Sequence, residues 1–355
     1  MAFTLLHTAD LHLGKSFCDL PPERAGQRRA DLLATLSRVC RKARELTVDV
    51  LCIAGDLFDR PPAAPVLASV RRALAEASVP VVLVPGNHDP LEEGSPLCDG
   101  RWPGNVLVAA QPGWQRLPVK DIETWAFGYA RGEAHRNPWR DFPGCGTDAL
   151  LVLHAACLGA GLAAAAGYYP FTVDDIPACG YLALGHHHRP AQVSRAPMAW
   201  YAGAPEPLEA EIEPAVALHV TRGGAAVEPL RLSTRRHRLV ELEVSGLSAE
   251  AIWDRALAAA AVDDLLTLKL TGVLEVAASL DLSALRAELS ARCFGVELQA
   301  EHVQLPADIP AGGVLGALGA LTHRRLETLP ADDAEGRARL ERAMRYAALA
   351  LEGKL

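Results

Sequence analysis

The chain has 355 residues, 50% of them hydrophobic, and a formal net charge of −8. That length and apolar content allow two domains with real cores. The acidic balance excludes a protein that wraps nucleic acid through bulk positive charge. No apolar run approaches the roughly 18 residues of a membrane span. The eight cysteines, Cys18, Cys40, Cys52, Cys98, Cys145, Cys157, Cys179 and Cys293, form no close Cys-x-x-Cys pair, which suits a reducing compartment. The expectation is a cytoplasmic protein without membrane association, its first strand starting too early for a leader to fit before it.

Phe3 to His7 reads as a buried strand and ends in Thr8-Ala9-Asp10-Leu11-His12. Glu23 to Glu45 reads as a helix. Val48 to Ala54 is a second strand, ending in Gly55-Asp56-Leu57-Phe58-Asp59-Arg60. A helix over Val66 to Ala77 leads to a third strand, Val79 to Val84, and then to Gly86-Asn87-His88-Asp89. Residues 91–147 break this alternation with recurrent Pro, Gly and Trp. Val106 to Ala109 and Glu123 to Tyr129 are expected there as strands of a second sheet, followed by a loop, Gly132 to Gly146, over the site. Leu150 to Leu153 leads into His154, and Tyr181 to Leu184 into Gly185-His186-His187-His188. The alanine-rich 160–166 run reads as a loop or helix start. Ala215 to Thr221, Gly223-Gly224 and Ala225 to Leu232 have the signature of a hairpin with glycine at its turn.

These strands are near-continuously apolar, as in sheets covered on both faces. In open α/β sheets the ligand site forms beyond the carboxyl ends of the strands, and every one of the five polar motifs sits at such an end. In extended chain, residues i and i+2 point to one side. Asp10 and His12 can therefore bite one metal, and His186 and His188 can reach one site while His187 points away. A metal pair about 3.5–4 Å apart can clamp a phosphoryl group; it needs a bridging carboxylate, and Asp56 is the natural candidate. Asn87 supplies an amide ligand and His154 an imidazole. The all-N/O set favours Mn, Fe or Zn, with Mn foremost. His88, next to Asn87, suits a general acid, and Asp59 could orient it. Each motif alone also has an ordinary reading as a turn or a hydrogen-bonded core histidine. Five in order, each after its own strand, point instead to a hydrolase of phosphate esters.

At these residues the chain resembles the calcineurin-like metallophosphoesterase superfamily, whose Asp-x-His, Gly-Asp, Gly-Asn-His-Asp, His and Gly-His-x-His pattern is met in full. The resemblance implies a two-sheet sandwich flanked by helices. It also implies one metal on Asp10, His12, Asp56 and His188 and a second on Asp56, Asn87, His154 and His186, with His88 as the catalytic histidine. Flanking residues resemble the SbcD-like DNA repair exonuclease branch: Leu13-Gly14 after the first motif, Arg189-Pro190 after the last, and Tyr201-Ala202-Gly203-Ala204-Pro205-Glu206-Pro207-Leu208. That narrower likeness implies DNA as substrate and a coiled-coil ATPase of the SbcC type as partner, with a homodimer left open. The resemblance is firm over residues 1 to about 232.

At Ser233-Thr234-Arg235-Arg236-His237-Arg238 the composition shifts. The expected division is a catalytic domain at 1–232 and a capping or partner-docking domain at 233–355. Strands at Leu239 to Val244, Leu265 to Thr271 and Val296 to Leu305 should alternate with helices at Ser248 to Ala261 and Ser283 to Arg292, an α+β module without a catalytic cluster. A last helix is expected over Ala334 to Leu351, with Leu340, Met344, Ala347 and Leu351 on one stripe. Two arginine groups are candidates for touching nucleic acid: Arg131, Arg136 and Arg140 beside Trp139, and Arg231, Arg235, Arg236 and Arg238. The competing functions are a DNA nuclease, a small-molecule phosphodiesterase or phosphatase on the same dinuclear site, and a scaffold. Retention of every ligand disfavours the last.

Overall fold

Short runs of Val, Leu and Ile, bounded by glycine and polar turns, form the central strands of two stacked sheets. The computed structural model describes residues 3–18, 20–159, 168–208, 216–221, 226–273, 280–304 and 313–330, with positions 333, 336, 339, 340 and 343. It divides into two units, Met1–Arg236 and His237–Leu355. The first runs β1 (Leu5–Thr8), α1 (Pro22–Glu45), β2 (Val50–Ala54), α2 (Ala64–Glu76), β3 (Val81–Val84) and β4 (Val106–Val108). It continues through β5 (Gly113–Val119), β6 (Ile122–Gly128), β7 (Leu150–His154), β8 (Cys157–Leu158) and β9 (Phe171–Thr172). Next come β10 (Tyr181–Gly185), β11 (Ala191–Arg195), β12 (Met198–Tyr201), β13 (Ala217–Thr221) and β14 (Ala226–Leu230).

One six-stranded sheet has the order β14-β13-β1-β2-β3-β4, the other β11-β12-β10-β7-β6-β5. Strands β1 to β4 are parallel, as are β12, β10, β7 and β6. Parallel strands put their carboxyl ends together, and this brings the polar motifs to one edge of the sandwich. Alternate residues divide the apolar load. Leu5, Val50, Cys52, Val82 and Val84 meet Leu150, Val152, Tyr181 and Ala183 between the sheets. Leu6, Leu51, Ile53 and Leu83 pack instead with Leu32, Leu36 and Val39 of α1 and Val70 and Leu74 of α2. Each fully buried Val or Leu stabilises the fold by about 1.5–3 kcal/mol. Helix α1 begins with Pro22 at its first turn beside Glu23 and ends with Lys42 and Arg44, the polarity its dipole favours.

The fold is thus mixed α/β, with two six-stranded sheets flanked by helices. Two details differ from expectation. Val106–Val108 pairs with β3 in the first sheet rather than the second. The 132–146 segment packs Trp139 and Phe142 with Phe127, Leu151 and Leu153 on the outer face of the second sheet, where large apolar rings find cover.

The second unit comprises β15 (Arg236–Glu243), α3 (Ala249–Ala258), β16 (Asp264–Val273), α4 (Leu282–Arg292), β17 (Gly295–Gln304) and α5 (Gly313–Glu327). Its three strands form the sheet β15-β16-β17. Ser248 caps α3 by accepting from Ala251 N at 3.2 Å, and Asp281 caps α4 by accepting from Ala284 N at 2.8 Å. Leu266, Leu268 and Leu270 of β16 bury against Ile252, Leu285 and Leu289. The Gly/Ala-rich stretch near residue 313 opens α5, a helix that its glycine content conceals in the sequence. The expected 334–351 helix and the 160–166 run lie largely or wholly outside the described residues. Within the second arginine group Arg235 is buried, its Nε donating to Asp31 Oδ2 at 2.6 Å, whereas Arg231, Arg236 and Arg238 are exposed, with Arg238 Nη1 donating to Asp264 Oδ2 at 3.3 Å.

Candidate metal centre

The loops after β1 and β2 remain zipped beyond their strands. Asp10 N donates to Gly55 O at 3.0 Å, His12 N to Asp56 O at 3.0 Å and Leu13 N to Leu57 O at 2.9 Å. The ladder brings Asp10, His12 and Asp56 side by side. It also holds them in left-handed backbone conformations, with φ of 53°, 46° and 49°; His186 joins them at 107°. Non-glycine residues in this region are uncommon and cost of order 1–3 kcal/mol each when strained. Four of them around one point mark a place where side-chain direction has been set against backbone preference.

Two glycines keep the centre tight. A Cβ on Gly55, whose φ is +92°, would run into the His154 ring, and one on Gly86 would strike Asp56 Oδ1. Neither position tolerates a side chain without moving a candidate ligand.

Hydrogen bonds fix which nitrogen of two imidazoles is bare. His154 Nδ1 donates to Ala54 O at 2.9 Å, so its Nε2 carries a lone pair. That Nε2 lies 3.0 Å from Asn87 Oδ1 and 3.5 Å from Asp56 Oδ2. His12 Nδ1 donates to Asp59 Oδ1 at 3.2 Å, leaving its Nε2 bare, 3.2 Å from His188 Nε2 and 3.6 Å from Asp56 Oδ2. His186 Nδ1 lies 3.1 Å from Asn87 Oδ1. Asp10 accepts from His186 N at 3.1 Å and, with Asp56 and His154, forms one of three groups of potential donors within 4.8 Å of one another. Asp10, His12 and His188 form a second, and His12, Asp56 and His88 a third. His154 Nε2, bare because Nδ1 is committed to Ala54 O, therefore faces the Asn87 amide oxygen as acceptor to acceptor.

Burial sharpens the point. It depresses His186 and His188 to about 3 and lowers His154, so these imidazoles stay neutral, the form that binds metal. Burial, then the charge of Asp56, raises Asp10 well above the carboxylate range. Burial opposes ionisation of Asp56 too, but His154, His12 and a bond from His88 N at 2.8 Å bring it below its usual value. Neutral imidazoles, an amide oxygen and crowded carboxylates are what a pair of divalent cations requires, and the described donors contain no thiolate. By this test the residues fit a dinuclear centre.

The structure brings together every residue singled out: Asp10, His12, Asp56, Asn87, His154, His186 and His188, with His88 at the rim. One contact differs from expectation. The Asp59 carboxylate faces His12 at 3.2 Å, and His88 Nδ1 meets the Asp59 main-chain carbonyl at 3.1 Å, the carboxylate being 3.8 Å away. Three further residues belong to the centre. Asp89, buried, accepts from Gly86 N at 2.8 Å and Phe58 N at 3.0 Å, tying the two loops together. Burial and the Asp56 charge push it up to about 7. Its place in the Gly86-Asn87-His88-Asp89 turn is the signal that points to it. Tyr168 lays its ring 4.6 Å from that of His186, with no motif to reveal it, and Arg131, one of the arginines offered above as nucleic-acid contacts, donates through Nη2 to Asn87 O at 3.3 Å. His187 turns to Tyr201, 5.6 Å ring to ring.

Residues 3–155 match the calcineurin-like phosphoesterase family. The chain is 28% identical over 273 residues to the DNA double-strand break repair protein Mre11 of Aeropyrum pernix, covering 68% of this chain and 63% of that protein. It is 28% identical over 272 residues to the protein of the same name from Methanopyrus kandleri, covering 68% and 57%. Against the SbcD component of the SbcCD nuclease of Bacillus subtilis it is 28% identical over 247 residues, covering 57% and 61%. The chain thus spans less than two-thirds of the length of each of these relatives.

Proposed function

We propose, from the premise that the chain carries a calcineurin-like phosphoesterase domain, that it is a metal-dependent phosphodiesterase acting on DNA. The reading is an SbcD-like repair nuclease working with an SbcC-type coiled-coil ATPase. The observation that carries the chemistry is the bare His154 Nε2 set on Asn87 Oδ1, beside three interlocking groups of His and Asp donor atoms, those of each group within 4.8 Å of one another. Asp10, His12, Asp56 and His188 would hold one ion, and Asp56, Asn87, His154 and His186 the other. When bound, such a pair, Mn foremost and Fe or Zn as alternatives, neutralises phosphoryl charge and acidifies the attacking water.

The protein's own residues do the rest. Asp59 and Ala54 fix the tautomers of His12 and His154, so that lone pairs point inward. Asp89 holds the Asn87 and Phe58 loops in register. His88, held through Nδ1 by a carbonyl, keeps Nε2 to carry a proton to the leaving oxygen. DNA as substrate is supported by the names of the relatives, a DNA double-strand break repair protein and a nuclease subunit, and the ATPase partner by the resemblance of the flanking residues to the SbcD-like branch. Residues 233–355 are proposed as the capping and docking domain; among the described residues, no candidate metal cluster lies there.

A small-molecule phosphodiesterase is favoured by two features, the net charge of −8 and the burial of Arg235 against Asp31. The deciding experiment assays metal-stripped protein reloaded with Mn, Fe or Zn on linear duplex, single-stranded DNA and an aryl phosphodiester. Metal-dependent DNA cleavage, enhanced by the ATPase, is expected. Cleavage of the aryl ester alone would move the assignment to small molecules, and full activity in chelator would refute the metal mechanism.

A further inference from the structure

We infer that Arg131 is the residue that grips the substrate phosphate on the Asn87 side of the centre, an inference that rests on the phosphodiesterase reading above. The arginines around Trp139 have different partners. Arg136 Nη1 pairs with Glu133 Oε1 at 3.3 Å. Arg131, exposed, reaches the other way and spends one donor on Asn87 O at 3.3 Å. A guanidinium has five N–H donors in a rigid fork. No carboxylate pairs with Arg131 among the described residues, so donors remain for a ligand. Its neighbour in that bond is the residue whose amide oxygen sits against both His154 and His186, which puts the cation at the margin of the centre.

Its backbone is anchored rather than loose. Arg131 opens a short 3-10 turn, Arg131–Glu133, two residues past β6, and the preceding Ala130 donates to Tyr169 Oη at 3.3 Å and accepts from it at 2.8 Å. Across the strand end, Leu91 N donates to Tyr129 O at 2.9 Å. Residue 91 lies just past the Gly86-Asn87-His88-Asp89 turn, so the loop bearing Asn87 is fastened to the segment between β6 and Arg131. A planar, permanently charged fork on a fixed stem suits the non-bridging oxygens of a phosphodiester. It also supplies positive charge locally, in a chain whose overall balance is acidic.

The test uses full-length protein with Mn, comparing wild type, Arg131→Ala, Arg131→Lys and the control Arg136→Ala. Three quantities are read: kcat and KM on an aryl phosphodiester, the affinity for inorganic phosphate by calorimetry, and bound Mn per chain. A charge-assisted bond contributes about 1.5–3 kcal/mol, so Arg131→Ala should raise KM and weaken phosphate binding about 10–100-fold. Bound Mn should not change. Arg131→Lys should recover part of the loss, and Arg136→Ala should match wild type. Unchanged KM and phosphate affinity in Arg131→Ala would overturn the inference while leaving the phosphodiesterase reading intact. So would loss of Mn, which would mean that Arg131 acts by holding Asn87. If wild type hydrolyses nothing, the phosphodiesterase reading fails, and phosphate affinity still decides: no difference between wild type and Arg131→Ala, or no phosphate binding at all, overturns the inference.

Discussion

The first unit contains two buried polar clusters, and they are built on opposite rules. In one, Arg28 and Glu206, each 1% exposed, meet at 2.8 Å, and every carboxylate oxygen has a donor. Glu206 also accepts from Thr35 Oγ1 and Thr234 N, both at 2.7 Å, and from Arg235 N at 3.2 Å. Asp31 takes Arg235 Nε at 2.6 Å and Gln27 Nε2 at 3.3 Å. Arg28 Nη2 donates to Pro207 O. In the other cluster, the bare His154 Nε2 faces the Asn87 oxygen, Asp10 crowds Asp56, and four left-handed residues hold the arrangement. A matched cluster closes a fold; Glu206 fastens helix α1 to the chain at 234–235. An unmatched cluster around buried carboxylates such as Asp10 and Asp56 is costly unless a cation joins it. The contrast separates structural from functional polarity on the same scaffold.

Substitutions should break the two clusters differently. The largest effect is expected for Asp56→Asn, which touches donors from both sides of the centre. Activity on any phosphodiester should fall to background and Mn content below two per chain, measured together by kinetics and elemental analysis. A variant that keeps both ions and measurable turnover would remove Asp56 from its bridging role. His88→Ala should lower kcat by about 10²–10⁴-fold, the range of a general acid, with metal content intact. Loss of an ion would show that His88 is a ligand.

The matched cluster should answer in stability instead. Glu206→Ala leaves Arg28 buried without its partner and should cost about 3–5 kcal/mol of unfolding free energy, read from denaturant midpoints. At temperatures where this variant is folded, its kcat should stay near wild type. A stable but inactive Glu206→Ala would place that residue in the chemistry and erase the distinction. The smallest effect is expected for Asp59→Asn, which loosens the tautomer lock on His12. Metal affinity should drop by about 10–100-fold with little change in melting temperature, and an unchanged Mn titration would count against the lock.

The ligands are legible in the sequence because strands impose a period of two, and each motif closes an apolar run at a strand end. What stays hidden depends on contacts between distant segments. Strand β5, with Pro118 and largely half-exposed residues, lacks the apolar signature of its neighbours. Strand β11 is half exposed along its length and carries no apolar run to announce it. Nothing local assigns Val106–Val108 to the first sheet rather than the second, because that choice is made by pairing with β3. Helix α5 is obscured by Gly313, Gly316 and Gly319, each costing about 1 kcal/mol in helix propensity. Arginines look alike in sequence. Only packing shows that Arg28 and Arg235 are internal and that Arg131 is turned toward Asn87. The Asp59 carboxylate goes to His12 rather than His88 for the same reason: proximity in the chain suggests one partner, and the β1–β2 loop ladder decides for the other.

The most direct test of the central claim is a calorimetric titration of Mn into chelator-stripped protein at neutral pH, with wild type and Asp56→Asn side by side. If the unmatched cluster is a dinuclear centre, wild type takes up two ions per chain and its melting temperature rises, while Asp56→Asn binds at most one. If wild type binds no ion tightly, or Asp56→Asn titrates as wild type does, the facing acceptors are not a metal site and the account fails.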